Sequence, residues 1–214
     1  MAVEGEGALA GELRELAAAA GFDARRLADF GGREQPELVV DASVPAGTAD
    51  LGVLPGGPPL AVVCADRSLL ARDLPDACGF HLLPPLSDTK LVELTRLAST
   101  PPETAQSVER FFSRLGLAHE WVGDAPGLVL GRIVCQLVNE ACFAVGEGVG
   151  SPADVDAGLT LGLNHPRGPL AWGRAIGFDH VLATIDGLWE DRREERYRAA
   201  PLLRRAAVAG LESA

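Results

Sequence analysis

Gly79-Phe80-His81-Leu82-Leu83-Pro84-Pro85 is a short apolar run closed by two prolines. Two similar runs precede it: Leu38-Val39-Val40 within Glu37–Asp41, and Leu60-Ala61-Val62-Val63-Cys64. Runs this short, bounded by Pro and Gly and without strong polar alternation, suit strands buried on both faces of a mainly parallel sheet. The segments between them, roughly 42–59 and 65–78, are rich in Pro and Gly and offer few crossover helices. The sheet is therefore expected to be small and incompletely covered. Upstream, Leu9, Leu13 and Leu16 fall at helical spacing within residues 8–20, and Gly21 supplies a stop.

From residue 100 the period becomes helical. Thr100-Pro101-Pro102-Glu103 has the spacing of a capping box with proline at the first helical position, and Gly116 ends that run. Pro126-Gly127 precedes Leu130, Ile133, Val134, Leu137, Ala141 and Ala144, the apolar stripe of a long helix. Ser151-Pro152-Ala153-Asp154 opens another by the same logic, and Asn164–Pro169 reads as a tight turn. Helices centred on Trp172 and on Val181–Trp189 follow, and Pro201–Ala209 forms the last. The expectation is an α/β part over residues 1–120 and an all-helical part over 121–214.

Composition narrows the function classes. Of 214 residues, 19 are basic and 30 acidic, and the net charge of -11 repels a phosphate backbone, so no nucleic-acid partner is expected. No uninterrupted apolar stretch reaches the roughly 18 residues of a membrane span, so none is expected. Glutamates near the start argue against a secretory leader. Cys64, Cys78, Cys135 and Cys142 lack CxxC spacing and sit among apolar neighbours, as buried thiols of a cytoplasmic protein do.

His81 is followed twelve residues later by Glu93 in Lys90-Leu91-Val92-Glu93. If the chain turns back between them, the carboxylate can orient the imidazole and raise its basicity, giving a proton-transfer dyad. The alternative is a structural histidine satisfied by backbone. His165 lies in the Asn164–Pro169 turn, as a surface or capping residue, while His119 and His180 have no neighbour pattern. No HxxxH, Cys–His or acidic cluster offers a metal site. Ser68 lacks a GxSxG context. Gly5, Gly7 and Gly11 follow no readable strand and miss the GxGxxG spacing, and neither Gly31-Gly32 nor Gly56-Gly57 leads into a convincing helix. On this reading the usual pyrophosphate cradle is absent.

Four segments together resemble the 3-hydroxyacyl-CoA dehydrogenase family. Gly79-Phe80-His81 through Glu93 resembles its catalytic strand, G-x-H-F-F-N-P followed by K-L-V-E. Pro126-Gly127-Leu128-Val129-Leu130-Gly131-Arg132 resembles P-G-F-[IV]-x-N-R. Val138-Asn139-Glu140-Ala141 through Asp154-Val155-Asp156 resembles the following helix pair, and Leu161 to Trp172 resembles the glycine-proline turn. That turn, with Glu194-Glu195-Arg196-Tyr197-Arg198, looks most like the second C-terminal repeat of phenylacetate-pathway 3-hydroxyadipyl-CoA dehydrogenases.

The resemblance implies a small degenerate Rossmann-like parallel sheet, truncated at its front. A helical domain of the 6-phosphogluconate dehydrogenase C-terminal type would follow. It implies His81 as catalytic base and Glu93 as its orienting partner. The family's Asn aligns with Gly131, and its substrate-contacting Ser falls near Arg67 with Ser68 one place off, which makes these three the substrate-binding positions. NAD is the implied cofactor, a 3-hydroxyacyl or 3-oxoacyl thioester the implied substrate, and a homodimer through the helical domain the implied assembly. Two other readings stand beside it: a cofactor-independent His/Glu acid–base enzyme on the same fold, and a non-catalytic partner of a full-length dehydrogenase. Gly131→Asn is expected to leave stability largely unchanged.

Overall fold

The computed structural model describes residues 1–31, 34–45 and 57–211. The strands are β1 (Ala2–Glu4), β2 (Val39–Asp41), β3 (Leu60–Val63), β4 (Cys78–His81), β5 (Leu91–Arg96) and β6 (Ala118–Trp121). They form one sheet in the order β1-β2-β3-β4-β5-β6, parallel throughout except that β5 runs antiparallel to β4. The helices are α1 (Ala8–Ala19), α2 (Pro102–Arg114), α3 (Leu130–Gly146), α4 (Pro152–Gly162), α5 (Pro169–Ile176), α6 (Phe178–Arg192) and α7 (Pro201–Ala209). Among the described residues no helix is long and apolar enough to cross a membrane.

The sheet is larger than expected, and the three additional strands have identifiable reasons for escaping notice. β1 is three residues at the very start of the sequence, too short to show a period. β5 alternates, with Val92 and Leu94 facing one side and Glu93 and Thr95 the other, so its carboxylate reads as a site residue rather than strand. β6, Ala118-His119-Glu120-Trp121, is a half-exposed edge strand with little apolar content. Coverage is also better than expected. One face packs against Leu9, Leu13 and Ala17 of α1 and against Val108, Phe111 and Phe112 of α2. The other face, with Ala2, Val39, Leu60 and Val62, packs against Leu69 and Leu128. The loop expected over 42–59 lies largely outside the described residues.

The six strands lie in the sheet in chain order, and the chain reverses direction at a single isolated bridge outside β1. After α1 the chain touches the outer side of β1 through a parallel bridge between Ala2 and Arg25, then crosses to form β2 on the other side. That reversal is a topological switch point, the place where an open α/β sheet leaves a crevice beyond its carboxyl ends.

Start signals in the helical part are mostly as read. Ser151 and Asp154 cap α4 reciprocally, with Pro152 at the first position. At α2 the expected capping box does not form: Pro101 is the N-cap without a side-chain bond. The Thr100 hydroxyl instead accepts the Leu97 N–H and lies 3.0 Å from the Ala77 carbonyl, tying β5 to the loop before β4. The Asn164–Pro169 turn is capped from α4, because Asp156 accepts the N–H groups of Leu170 and Ala171, and His165 lines a groove instead. All four cysteines are free and buried, as expected.

The helical core gathers Val134, Val138 and Cys142 of α3, Leu170 of α5, Val181, Ile185 and Leu188 of α6, and Leu203 of α7. Asn139 fastens the last segment to it. Its Nδ2 donates to the Arg198 carbonyl at 3.0 Å and its Oδ1 accepts the Ala200 N–H at 2.8 Å. Truncation leaves the buried Ala200 N–H without an acceptor, at about 1–3 kcal/mol. Asn139→Ala is therefore expected to lose that much in urea denaturation, and an unchanged midpoint would show that this fastening is not needed.

Candidate active site

Antiparallel pairing of β4 with β5 places His81 directly opposite Glu93. Phe80, Val92 and Leu94 point to the α1/α2 side, so alternation sends His81 and Glu93 to the other face, where α3 begins. The return of the chain that the dyad requires is present. The dyad's hydrogen bond is not. Glu93 accepts the Val129 and Leu130 N–H groups, each at 3.0 Å, and so caps the first turn of α3. A carboxylate there satisfies two otherwise orphan donors and faces the positive end of the helix dipole.

His81 is 2% exposed, and neither Nδ1 nor Nε2 has a hydrogen-bond partner. Its ring lies against Gly131 so closely that a Cβ on that residue would stand 2.2 Å from Cε1. On its other side it meets His180 of α6 edge to face, with ring centroids 5.6 Å apart. His180 is itself 4% exposed and its Nε2 is also unpartnered. Burial, with His180 adding to it, pushes the His81 pKa down to about 3, and burial pushes His180 down to about 4. Both rings are neutral near pH 7.

His81, Glu93 and Gly131 are thus brought together, while Ser68 and Arg67 serve elsewhere. The Ser68 hydroxyl accepts the Ala71 N–H at 3.1 Å and closes the turn after β3. Arg67 is exposed and opens onto a groove along α6 with Asp179, Asp186 and Glu190. His180 was missed because only the packing of α6 on α3 brings it to His81; no spacing in the sequence carries that information.

The reading of the glycines near the start needs correction. β1 precedes Gly5, and Gly7 is the N-cap of α1, so Gly5-Glu6-Gly7-Ala8-Leu9-Ala10 is a strand–turn–helix with small residues at the first, third and sixth positions. Gly5 has φ +114°, and a Cβ there would stand 2.8 Å from the Ala42 backbone at the end of β2. Gly7 has φ +89° and faces open space. A cavity of about 340 Å³ at the switch point is lined by Glu4, Gly5, Glu6, Ser43, Val44 and Pro45. Arg26 reaches Glu6 at 2.8 Å across the turn. Below it Asp41 and Arg72 form a buried ion pair at 2.8 Å, with Arg72 also donating to the Val63 carbonyl.

Two outcomes follow from the histidine packing. The unfolded chain binds protons on these rings near about pH 6.5, whereas the folded chain does not until far lower. Their contribution is therefore complete above that pH and is lost as pH falls toward 4 and 3. Urea denaturation from pH 7.5 to 4.5 should show stability dropping by up to about 1.4 kcal/mol per pH unit per ring, less steeply in His180→Phe. A flat profile would mean that the rings are not buried as neutral groups. Gly131→Asn, expected from sequence to be tolerated, must displace the His81 ring and should cost about 1–3 kcal/mol. In a His81→Ala background most of that cost should vanish, which a double-mutant cycle reads directly.

Comparison with known proteins agrees with this architecture. Residues 127–213 match the family model described as 3-hydroxyacyl-CoA dehydrogenase, C-terminal domain. A probable 3-hydroxybutyryl-CoA dehydrogenase of Bacillus subtilis is 39% identical over 132 residues, 62% of this chain and 46% of that protein. A 3-hydroxyadipyl-CoA dehydrogenase of Escherichia coli is 35% identical over 126 residues, 58% of this chain and 26% of that protein. The crystal structure of (S)-3-hydroxybutyryl-CoA dehydrogenase from Ralstonia eutropha superposes with a TM-score of 0.64 at 32% identity, covering 81% of this chain and 66% of that one. The chain thus spans about half the length of the 3-hydroxybutyryl-CoA relative it matches. Carrying that family's C-terminal domain over residues 127–213, the chain is a member of the 3-hydroxyacyl-CoA dehydrogenase family.

Proposed function

We propose that the chain is a divergent dehydrogenase-type protein of the cytoplasm, acting on a 3-hydroxyacyl or 3-oxoacyl thioester. Residues 1–120 serve as a shortened nucleotide-binding half and residues 121–214 as the helical substrate and dimerisation half. The observation that carries this reading is the seating of His81, at the end of β4, against the first turn of the family's own helix α3. Its imidazole is neutral near pH 7, so a lone pair is available to take a hydroxyl proton. A thioester reaches it only when α3 moves off the ring.

Backbone geometry at the first turn supports a place for the NAD pyrophosphate, while Glu4 and Glu6, which line the same cavity, oppose an anion there. The turn from β1 through Gly5 and Gly7 into α1 lies at the switch point, where backbone N–H groups and the helix N-terminus favour a diphosphate. The backbone of Gly5 to Ala8 would hold it, and Gly7 offers the space. NAD, when bound, supplies the hydride acceptor; this chain's part is to place His81 and to exclude water around it. Substitution of the family's Asn by Gly131 removes one polar contact to the substrate oxygen, which lowers the expected rate by roughly ten- to a thousandfold.

One observation favours a second reading, a non-catalytic dimerisation partner. The face of α3 beyond Gly131 leaves Leu130, Ile133 and Leu137 exposed beside an apolar groove of about 410 Å³ with Val155, Leu159 and Trp172. Such a face suits a second helical domain. The pure His/Glu acid–base reading is weakened, because Glu93 caps α3 instead of bonding His81.

Calorimetric titration with NADH separates the two. A saturable one-site curve in the micromolar range is expected, together with oxidation of a 3-hydroxyacyl-CoA that His81→Ala abolishes. No heat up to millimolar NADH would end the dehydrogenase reading and leave the partner role.

A further inference from the structure

Among the described residues, two touching rings hold buried polar atoms without hydrogen-bond partners: His81 Nδ1 and Nε2 and His180 Nε2. A buried polar atom left unpaired is destabilising, because it gives up its bonds to water and gains none in return. Three within two touching rings are more than an incidental defect, and such groups in a native protein call for an explanation. Glu93 cannot relieve them while it serves α3, since the N–H groups of Val129 and Leu130 engage its carboxylate. Withdrawing it would uncap the helix and leave two backbone donors unsatisfied beneath the sheet.

We infer that His180 is the positioning residue of His81, in the place that a carboxylate would otherwise hold. This rests on the reading of His81 as the base. The rings stand at 87° with centroids 5.6 Å apart and touch without a hydrogen bond between them; an N–H···N bond near about 2.9 Å requires them to reorient. Gly131 sets the ring's position, because any Cβ there would overlap it and displace His81 from the place where it meets His180. When one ring nitrogen of His81 takes a hydroxyl proton, the N–H on its other nitrogen donates to the Nε2 lone pair of His180. No proton passes on to His180; the bond fixes the tautomer and orients the ring. A neutral imidazole stabilises the resulting imidazolium less than a carboxylate does, so His81 stays a weaker base than one paired with a glutamate.

The test reads the ring nitrogens themselves. Full-length protein labelled with ¹⁵N-histidine is compared at pH 7 as wild type, His180→Phe, His180→Gln and Glu93→Gln. The expected result is a hydrogen-bonded His81 N–H in the wild type. It should shift to the unbonded position in His180→Phe, be largely restored in His180→Gln, and stay unmoved in Glu93→Gln. If His81 responds to Glu93→Gln and not to the folded His180 variants, the inference is overturned. Where turnover is measurable, His180→Phe should lower kcat about tenfold or more with KM within about twofold, and Gln should recover most of it. A wild type that turns over no thioester yet shows the His81–His180 bond would strike the dehydrogenase reading alone and leave the pairing standing.

Discussion

The two bonds from the Val129 and Leu130 N–H groups to Glu93 fix how the sheet meets the helices. Glu93 is held rigidly in β5 between β4 and β6, and its carboxylate sits at the start of the 17-residue α3. A charge facing a helix N-terminus with two donors is among the stronger local interactions a half-buried carboxylate can make. It sets the height of α3 over β4, and thereby the contact of Gly131 with His81. The Gly127 N–H, donating to the Cys64 carbonyl at the end of β3, adds a second point of attachment. α6, which packs against α3, then has its Gly187 drawn onto the Asp66 backbone, so close that a Cβ would stand 2.1 Å from that carbonyl.

This arrangement explains why His81 is so thoroughly enclosed. A side chain larger than hydrogen at position 131 would keep the ring away from the helix and leave a space between sheet and helices. With glycine the ring collapses onto the backbone of α3, and His180 closes the remaining side. Glycine at this one position thus makes His81 part of the packed interior. Its imidazole is then carried as a neutral, weakly basic group, since burial disfavours the charged form.

Much of this architecture is legible in the sequence, and the omissions share a cause. The buried strands β2, β3 and β4 and all seven helices can be read because their apolar runs or stripes are long enough to show a period. Residues 79–93 show that His81 and Glu93 can meet if the chain turns back after the proline break, though β5 itself is not read as a strand. What Glu93 bonds is not legible, because a strand carboxylate has equal reason to seek an imidazole or a helix N-terminus. His180 is invisible for the same reason: its role exists only once α6 lies on α3. The Gly5–Ala10 turn fails differently. Its residues carry the signal, but the test for it demands a preceding strand, and three residues cannot announce one.

The corrected reading of that turn changes what the shortened N-terminal half can do. Among the described residues the outer side of β1 carries a single bridge, Ala2 to Arg25, where a full dinucleotide fold has two further strands. Yet that bridge preserves the reversal of strand order, and the reversal rather than the number of strands creates the crevice. Gly5 allows β1 to approach the end of β2 at backbone distance, and α1 then points its N-terminus across the gap. At the same carboxyl end of the sheet, Asp41 and Arg72 fill the space beyond β2 and β3 with a buried ion pair. A ligand at this turn would therefore meet the backbone of one turn and one helix N-terminus, with the carboxylates of Glu4 and Glu6 lining the same cavity.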